Sequence, residues 1–316
     1  MGDLPKYVSF LRHGEISSEL PVVIKGATLY AFALESDSSA VQTFIDSILN
    51  ATSSEHKFWF LGSHVLLVFM HCAHATSTTE VAGWVPDSET MVWIPVLQNS
   101  LIPKLYLWIP YLLIDSSIGM VTGREVWGFN KTYGKTTLPS DPQATAQFIG
   151  QTLTFKTLSL DTLGHFDTLV TVDRTDRREL GERGSSWNVF DDLITAVAQK
   201  VGGMRVAGGT VIHDLEKLAA GISIPTINLK QFRDVTQSDR ACYQALTRSS
   251  FTLDKWYGGG LLEGEYELSV EPRESHQVVR DLGLRARADG RIPISFGFWV
   301  NFDFSTPPGE TLWQAP

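Results

Sequence analysis

The chain is poor in several features that would mark other classes of protein. Of its 316 residues only Cys72 and Cys242 are cysteines. Two are too few for a disulfide framework, they stand in no metal-ligand spacing, and both read as buried thiols. There is no basic excess: a formal net charge of -9 and a pI of about 5.4 give no general attraction to phosphate backbones or anionic lipid, so neither nucleic acid nor a membrane is an expected partner. No long apolar run is present either. The most apolar window, 101–121, is broken by Pro103, Lys104, Pro110 and Asp115 before it reaches a membrane-spanning length. The first residues, MGDLPKYVSFLRHGEISSEL, contain no apolar core followed by a small-residue cleavage site, so the expected address is cytoplasmic. Internal repeats, low-complexity linkers and a Gly-x-Ser-x-Gly nucleophile elbow are likewise absent, and the last of these argues against a serine hydrolase of that type.

Helical periodicity is sparse, which argues against a regular alternation of strands and helices around a parallel sheet. One helix is expected where Val41, Phe44, Ile45, Ile48 and Leu49 share a face after the capping candidates Asp37 and Ser38. A second is expected over 186–201, with Asp191 and Asp192 near its positive end and Gly202 as a stop, and a short third over 213–220. The charged stretch 174–184 reads as a loop, and the glycine-rich 201–209 as turns.

What the chain has in quantity is period-two alternation, with 43% hydrophobic residues to fill a core. Ile292, Ile294, Phe296, Phe298, Val300, Phe302 and Phe304 alternate with more polar neighbours, as one face of a strand would. Leu262, Tyr266, Leu268 and Val270 alternate with Glu263, Glu265, Glu267 and Ser269 in a second strand with a solvated face. Further strands are expected at 28–34, 58–70, 91–97, 105–114, 152–160 and 167–173, and Gly258 to Gly260 reads as a turn. The fold class is therefore α+β, mainly antiparallel β, with a few peripheral helices.

Candidate chemistry begins at Gly123, in the run GREVWGFNKTYGK, where Arg124, Glu125 and Lys131 stand among Val126, Trp127, Phe129 and Tyr133. A lysine attacks a carbonyl only as the neutral amine, and at an ordinary pKa of about 10.4 roughly one molecule in a few thousand is neutral at pH 7. Burial or a neighbouring cation lowers that pKa, so a lysine in an apolar pocket is a candidate nucleophile. Taken alone, the same pattern also fits a lysine that snorkels to solvent. His64, His71 and His74 lie close in sequence and invite a metal reading, but His71 and His74 face opposite sides of a strand and no carboxylate completes the set.

Gly123-Arg124-Glu125 followed by Gly128-Phe129-Asn130-Lys131 resembles the signature of the acetoacetate decarboxylase superfamily. Glu89 with Ile94-Pro95-Val96 resembles a second family segment. Weaker matches follow at Pro225 to Lys230, Arg240 to Cys242 and Trp256 to Gly258. The resemblance implies a barrel-like antiparallel fold spanning 1–316 as one domain, with a helical insertion at about 174–221. It also implies a homo-oligomer that needs no cofactor or metal and takes a small carbonyl or keto-acid substrate. Lys131 would form the Schiff base and Glu89 would transfer protons. Trp127, Phe129, Thr132 and Tyr133 would bind substrate, while Arg124 and Glu125, read as an ion pair, would organise the site. The implied activity is that of a decarboxylase-like lyase; an aldolase, dehydratase or cyclase using the same iminium, or a non-catalytic ligand binder, are the alternatives. Four departures bear on this choice. Thr132 stands where the family has a second lysine, Asn130 replaces a proline, and no counterpart is evident for the family's carboxylate-binding arginine or for a second glutamate near Val68 to His71.

Overall fold

The computed structural model describes residues 4–10, 13–80, 83–101, 103–141, 147–176, 186–187 and 223–316. Its strands are β1 (Val22–Glu35), β2 (Phe58–Phe60), β3 (His64–Ser77), β4 (Val85–Gln98), β5 (Lys104–Ile114), β6 (Lys131–Thr137), β7 (Phe148–Thr154), β8 (His165–Arg174), β9 (Ser186–Trp187), β10 (Ser223–Arg233), β11 (Ala241–Leu261), β12 (Tyr266–Val270), β13 (Ile292–Pro293), β14 (Phe296–Thr306) and β15 (Glu310–Gln314). Parallel pairing occurs where β5 meets β10 and β6. The other strand pairs are antiparallel, as the alternation predicts.

Following the hydrogen bonds from β5 through β10, β11, β14, β1, β3 and β4 leads back to β5, so these seven strands pair in a ring. From β5 the sheet also continues through β6, β7, β8, β12 and β13. The ring strands bury both faces. On β1, Leu29 and Ala31 pack with Met70, Phe298 and Phe304, whereas Tyr30, Phe32 and Leu34 pack with Phe148 and the helix α1 (Ser38–Thr52). Strands covered on both sides read as near-continuous apolar runs rather than alternating ones. Phe32 is fully buried with its ring against Phe69, Phe148 and Tyr266, and its burial stabilises the fold by about 1.5–3 kcal/mol.

Helix α1 starts where the sequence places it. The Asp37 side chain accepts hydrogen bonds from Ser39 N and Ala40 N, and Val41, Ile45 and Leu49 form its buried stripe. Several other expectations need correction. Residues 258–260 lie inside β11 rather than in a turn; the strand's register shifts between Trp256 and Gly258, whose φ of 141° suits glycine in a bulge. The strand expected from 292 divides into β13 and β14, the one expected from 262 begins at Tyr266, and 155–160 is not strand. Cys242 is exposed, and only Cys72 is buried. Ser186–Trp187, expected as the start of a helix, pairs with β11 as a strand. The rest of that helix, the short helix at 213–220, the turns at 201–209 and most of the insertion lie outside the described residues. Among the described residues no helix is long and apolar enough to cross a membrane.

Candidate active site

The pleat of β4 turns Asp87, Glu89 and Met91 to one face. Opposite them β3 supplies Cys72, paired with Asp87, and Met70, paired with Glu89. On the other side β5 pairs Ile114 with Glu89 and, through its parallel edge with β6, Leu112 with Lys131. Two strands flanking β5 therefore bring Glu89 and Lys131 together. The lysine Nζ donates to Glu89 Oε1 at 2.7 Å, with the two side chains 12% and 8% exposed. They sit on the wall of a cavity of about 100 Å³ whose remaining lining is largely apolar, including Met70, Met91, Leu112 and Phe304.

The segment before Lys131 is built to present it. Helix α2 (Ser117–Thr122), capped by Ser116, runs straight into a π-helical turn over Gly123–Trp127. That turn ends at Gly128 in the left-handed region at φ 80°. A Cβ at Gly128 would lie 2.6–2.8 Å from Lys230 atoms, two of them backbone, so both conformation and space require glycine there. Single π turns of this kind recur at functional sites. Gly123 is needed for a different reason: a Cβ there would lie 2.6 Å from Lys131 Cδ and 2.7 Å from Cε. The missing methyl is the space that the lysine stem occupies.

Trp127 and Phe129, expected to bind substrate, line the cavity. Trp127 is fixed by its Nε1 donating to Pro307 O at 3.2 Å, and Phe129 stacks on Phe251 with centroids 5.9 Å apart. Thr132 and Tyr133 are not part of the lining. The pleat turns Thr132 away, where its Oγ1 donates to Leu112 O, and Tyr133 is carried two residues past the cavity to an exposed position against Phe166. Arg124 and Glu125 do not form an ion pair, since adjacent side chains on a helical turn diverge. Instead Arg124 Nη1 donates to Lys131 O at 2.9 Å. Asn130 ties the turn down by donating to Pro110 O at 2.9 Å. The three histidines also diverge. His71 bonds Ser88 Oγ, His64 bonds Ser63 and Ser295, and His74 meets Trp84 edge-on.

The electrostatics differ from the expectation of a depressed lysine pKa. Burial by itself would lower the Lys131 pKa, but the carboxylates of Glu89 and Asp87 outweigh it and hold the group above its ordinary value. The resting amine is therefore an ammonium in an ion pair. Burial, reinforced by the charge of Glu89, pushes the Asp87 carboxyl up to about 7. Burial and the same two carboxylates push the Cys72 thiol up, so it is protonated and is not a nucleophile at neutral pH.

No family model and no curated protein matches the sequence. Solved structures do match. An acetoacetate decarboxylase from Legionella pneumophila aligns over 98% of this chain and 92% of its own, with a TM-score of 0.61 and 14% identity. The chain has the acetoacetate decarboxylase fold. The enduracididine biosynthesis enzyme MppR, solved with pyruvate, aligns over 98% of this chain and 99% of its own at TM-score 0.57 and 14% identity. An acetoacetate decarboxylase-like enzyme from Sphingomonas wittichii RW1 aligns over 97% and 98% at TM-score 0.56 and 11% identity. On this fold the present chain carries two acidic side chains beside its lysine. Asp87 was the one missing from the sequence reading, although its spacing two residues before Glu89 on an apolar strand is the signal that would have found it.

Proposed function

We propose that the chain is a Schiff-base-forming lyase, a divergent member of the acetoacetate decarboxylase superfamily, acting through Lys131 on a keto acid or related small carbonyl compound. The observation that carries this reading is the Lys131–Glu89 pair at 2.7 Å on an apolar cavity wall. A buried ion pair contributes little to stability, because desolvation offsets its attraction; its placement at a cavity fits chemistry better than structure. The pair also supplies a proton path. As a carbonyl compound enters, the ammonium passes a proton to Glu89, and the neutral amine attacks the carbonyl carbon. Glu89 then protonates the carbinolamine hydroxyl, water leaves, and the iminium left on Lys131 accepts the electron pair of whichever bond breaks next. Loss of carbon dioxide, aldol cleavage, dehydration and cyclisation share that step. No organic cofactor is needed for it, and the sequence resemblance to the acetoacetate decarboxylase superfamily implies a homo-oligomer.

The test is borohydride reduction in the presence of a panel of keto acids and simple carbonyl compounds, read by peptide mass. The expected result is an adduct on Lys131 that disappears, together with turnover, in Lys131→Ala. Adducts on Lys104, Lys135 or Lys156 with normal activity in Lys131→Ala would refute the assignment. One observation favours a second reading. A lysine whose pKa is held up by Glu89 and Asp87 suits a non-catalytic member that binds carbonyl ligands through an ammonium hydrogen bond. Such a protein would bind the panel yet yield no reducible imine.

A further inference from the structure

The cavity wall holds one group that imine formation leaves unused. Asp87 lines the same cavity as Lys131 and Glu89, with its carboxyl beside the Cys72 thiol of the paired strand, and its buried Oδ1 makes no hydrogen bond of full geometry among the described residues. Buried acceptors are nearly always satisfied, so a carboxyl on a cavity wall with an acceptor to spare is a place for a donor on a ligand. The charges restrict that ligand further. Among the described lining residues Lys131 is the only base, facing two acids. Converting its ammonium to an iminium leaves the positive charge unchanged at one. A substrate carboxylate would therefore enter as a third acidic group with no cation to spare, in a site whose apolar walls strengthen the repulsion.

Resting on the Lys131 imine, we infer that the cavity selects an uncharged carbonyl compound carrying a hydroxyl group β to the carbonyl, and that the Asp87 carboxyl accepts that hydroxyl's hydrogen bond. The chemistry then follows with atoms in balance. The Asp87 carboxylate takes the hydroxyl proton, the bond between the α and β carbons breaks, and its electron pair enters the iminium. The fragment bearing the hydroxyl oxygen leaves as an aldehyde or ketone, and the Lys131 adduct becomes an enamine. Asp87 returns the proton to the enamine carbon, and water hydrolyses the resulting iminium to release the second carbonyl product. Asp87 would thus be a catalytic residue for aldol cleavage, with Glu89 serving imine formation.

The experiment compares borohydride trapping of 4-hydroxy-2-butanone, 2-butanone, acetoacetate and pyruvate on the intact protein, with peptide mapping of Lys131. The hydroxyketone is expected to half-saturate at a concentration about tenfold below that of 2-butanone, as one added hydrogen bond would give, with both keto acids weaker than either. Asp87→Ala is expected to abolish the hydroxyl preference while Lys131 is still labelled by 2-butanone. Asp87→Asn keeps an acceptor but cannot take a proton, so it should retain the preference and lose release of acetone and formaldehyde from the hydroxyketone. Preferred trapping of a keto acid on Lys131, or a hydroxyl preference unchanged in Asp87→Ala, overturns the inference and leaves the imine reading standing. Failure of every compound to label Lys131 overturns both.

Discussion

Replacing Gly123 by alanine separates the holding of the lysine from the holding of the fold. The backbone at Gly123, φ -60° and ψ -40°, is open to any residue, and in a helical turn alanine ordinarily gains about 0.5–1 kcal/mol over glycine. The added methyl would lie 2.6 Å from Lys131 Cδ, 2.7 Å from Cε and 3.3 Å from Nζ. Carbon atoms pack best at about 3.5–4.0 Å, so the stem must retreat by roughly 1 Å. Because the obstructing atoms are the free end of a flexible side chain, the backbone yields little and the 2.7 Å pairing with Glu89 is what opens. Misplacing a reacting group by about 1 Å costs on the order of a hundredfold in rate, or about 2.7 kcal/mol of barrier. The variant should therefore form the reducible imine about a hundred times more slowly than its parent, with a Tm within about 3 °C. Trapping at the parental rate would refute the claim that Gly123 sets the lysine's position. A drop in Tm beyond about 10 °C would show instead that the methyl damages packing.

Three further outcomes are expected. Glu89→Gln removes the nearest carboxylate holding up the Lys131 pKa, so the acidic limb of imine formation should move to lower pH while turnover falls by roughly two to four orders of magnitude; near-parental turnover would return Glu89 to a structural role. The folded-state pKa of Asp87, about 7, lies above its unfolded value near 3.9, so the native protein keeps a proton that the unfolded chain gives up. Stability should fall as pH rises through that window, and the advantage of Asp87→Asn in denaturant titrations should grow from nothing near pH 4 to at most about 4 kcal/mol near pH 8; a pH-independent advantage contradicts this. Thr132→Lys should leave the imine-forming pH profile in place, because Thr132 faces Leu112 O rather than the cavity, and a downward shift of the limb would show that the two side chains share a face.

How much of this was legible in the residues depends on how each element is covered. β14 shows its alternation and α1 its stripe and cap, so both were expected nearly in place. β11 was missed because two register shifts and three consecutive glycines break its period, and glycine carries no side chain to report a face. β4, buried on both sides, hid Asp87 and the inward direction of Glu89, since neither acid interrupts a visible pattern. The run from Gly123 to Lys131 pointed to the lysine through its resemblance. Its pKa direction was beyond reach, because the decisive carboxylate comes from another strand and acts through a distance of 2.7 Å that no local pattern encodes.

The short link from the π-helical turn to β6 makes chain length a constrained quantity beside the identities of Gly123 and Gly128. A π turn can absorb a lost residue by relaxing to ordinary helical bonding over the same span, but the short link from Gly128 to Lys131 has no such slack, so deleting Asn130 would draw β6 back by one position. In a pleated strand such a slip exchanges the two faces. Thr132 would then point into the cavity and Lys131 would be gone from it, although every functional side chain would still be present in the gene. Descendants of this protein that keep the chemistry should accordingly retain Gly123 and Gly128 and resist insertions and deletions between Gly128 and Lys131.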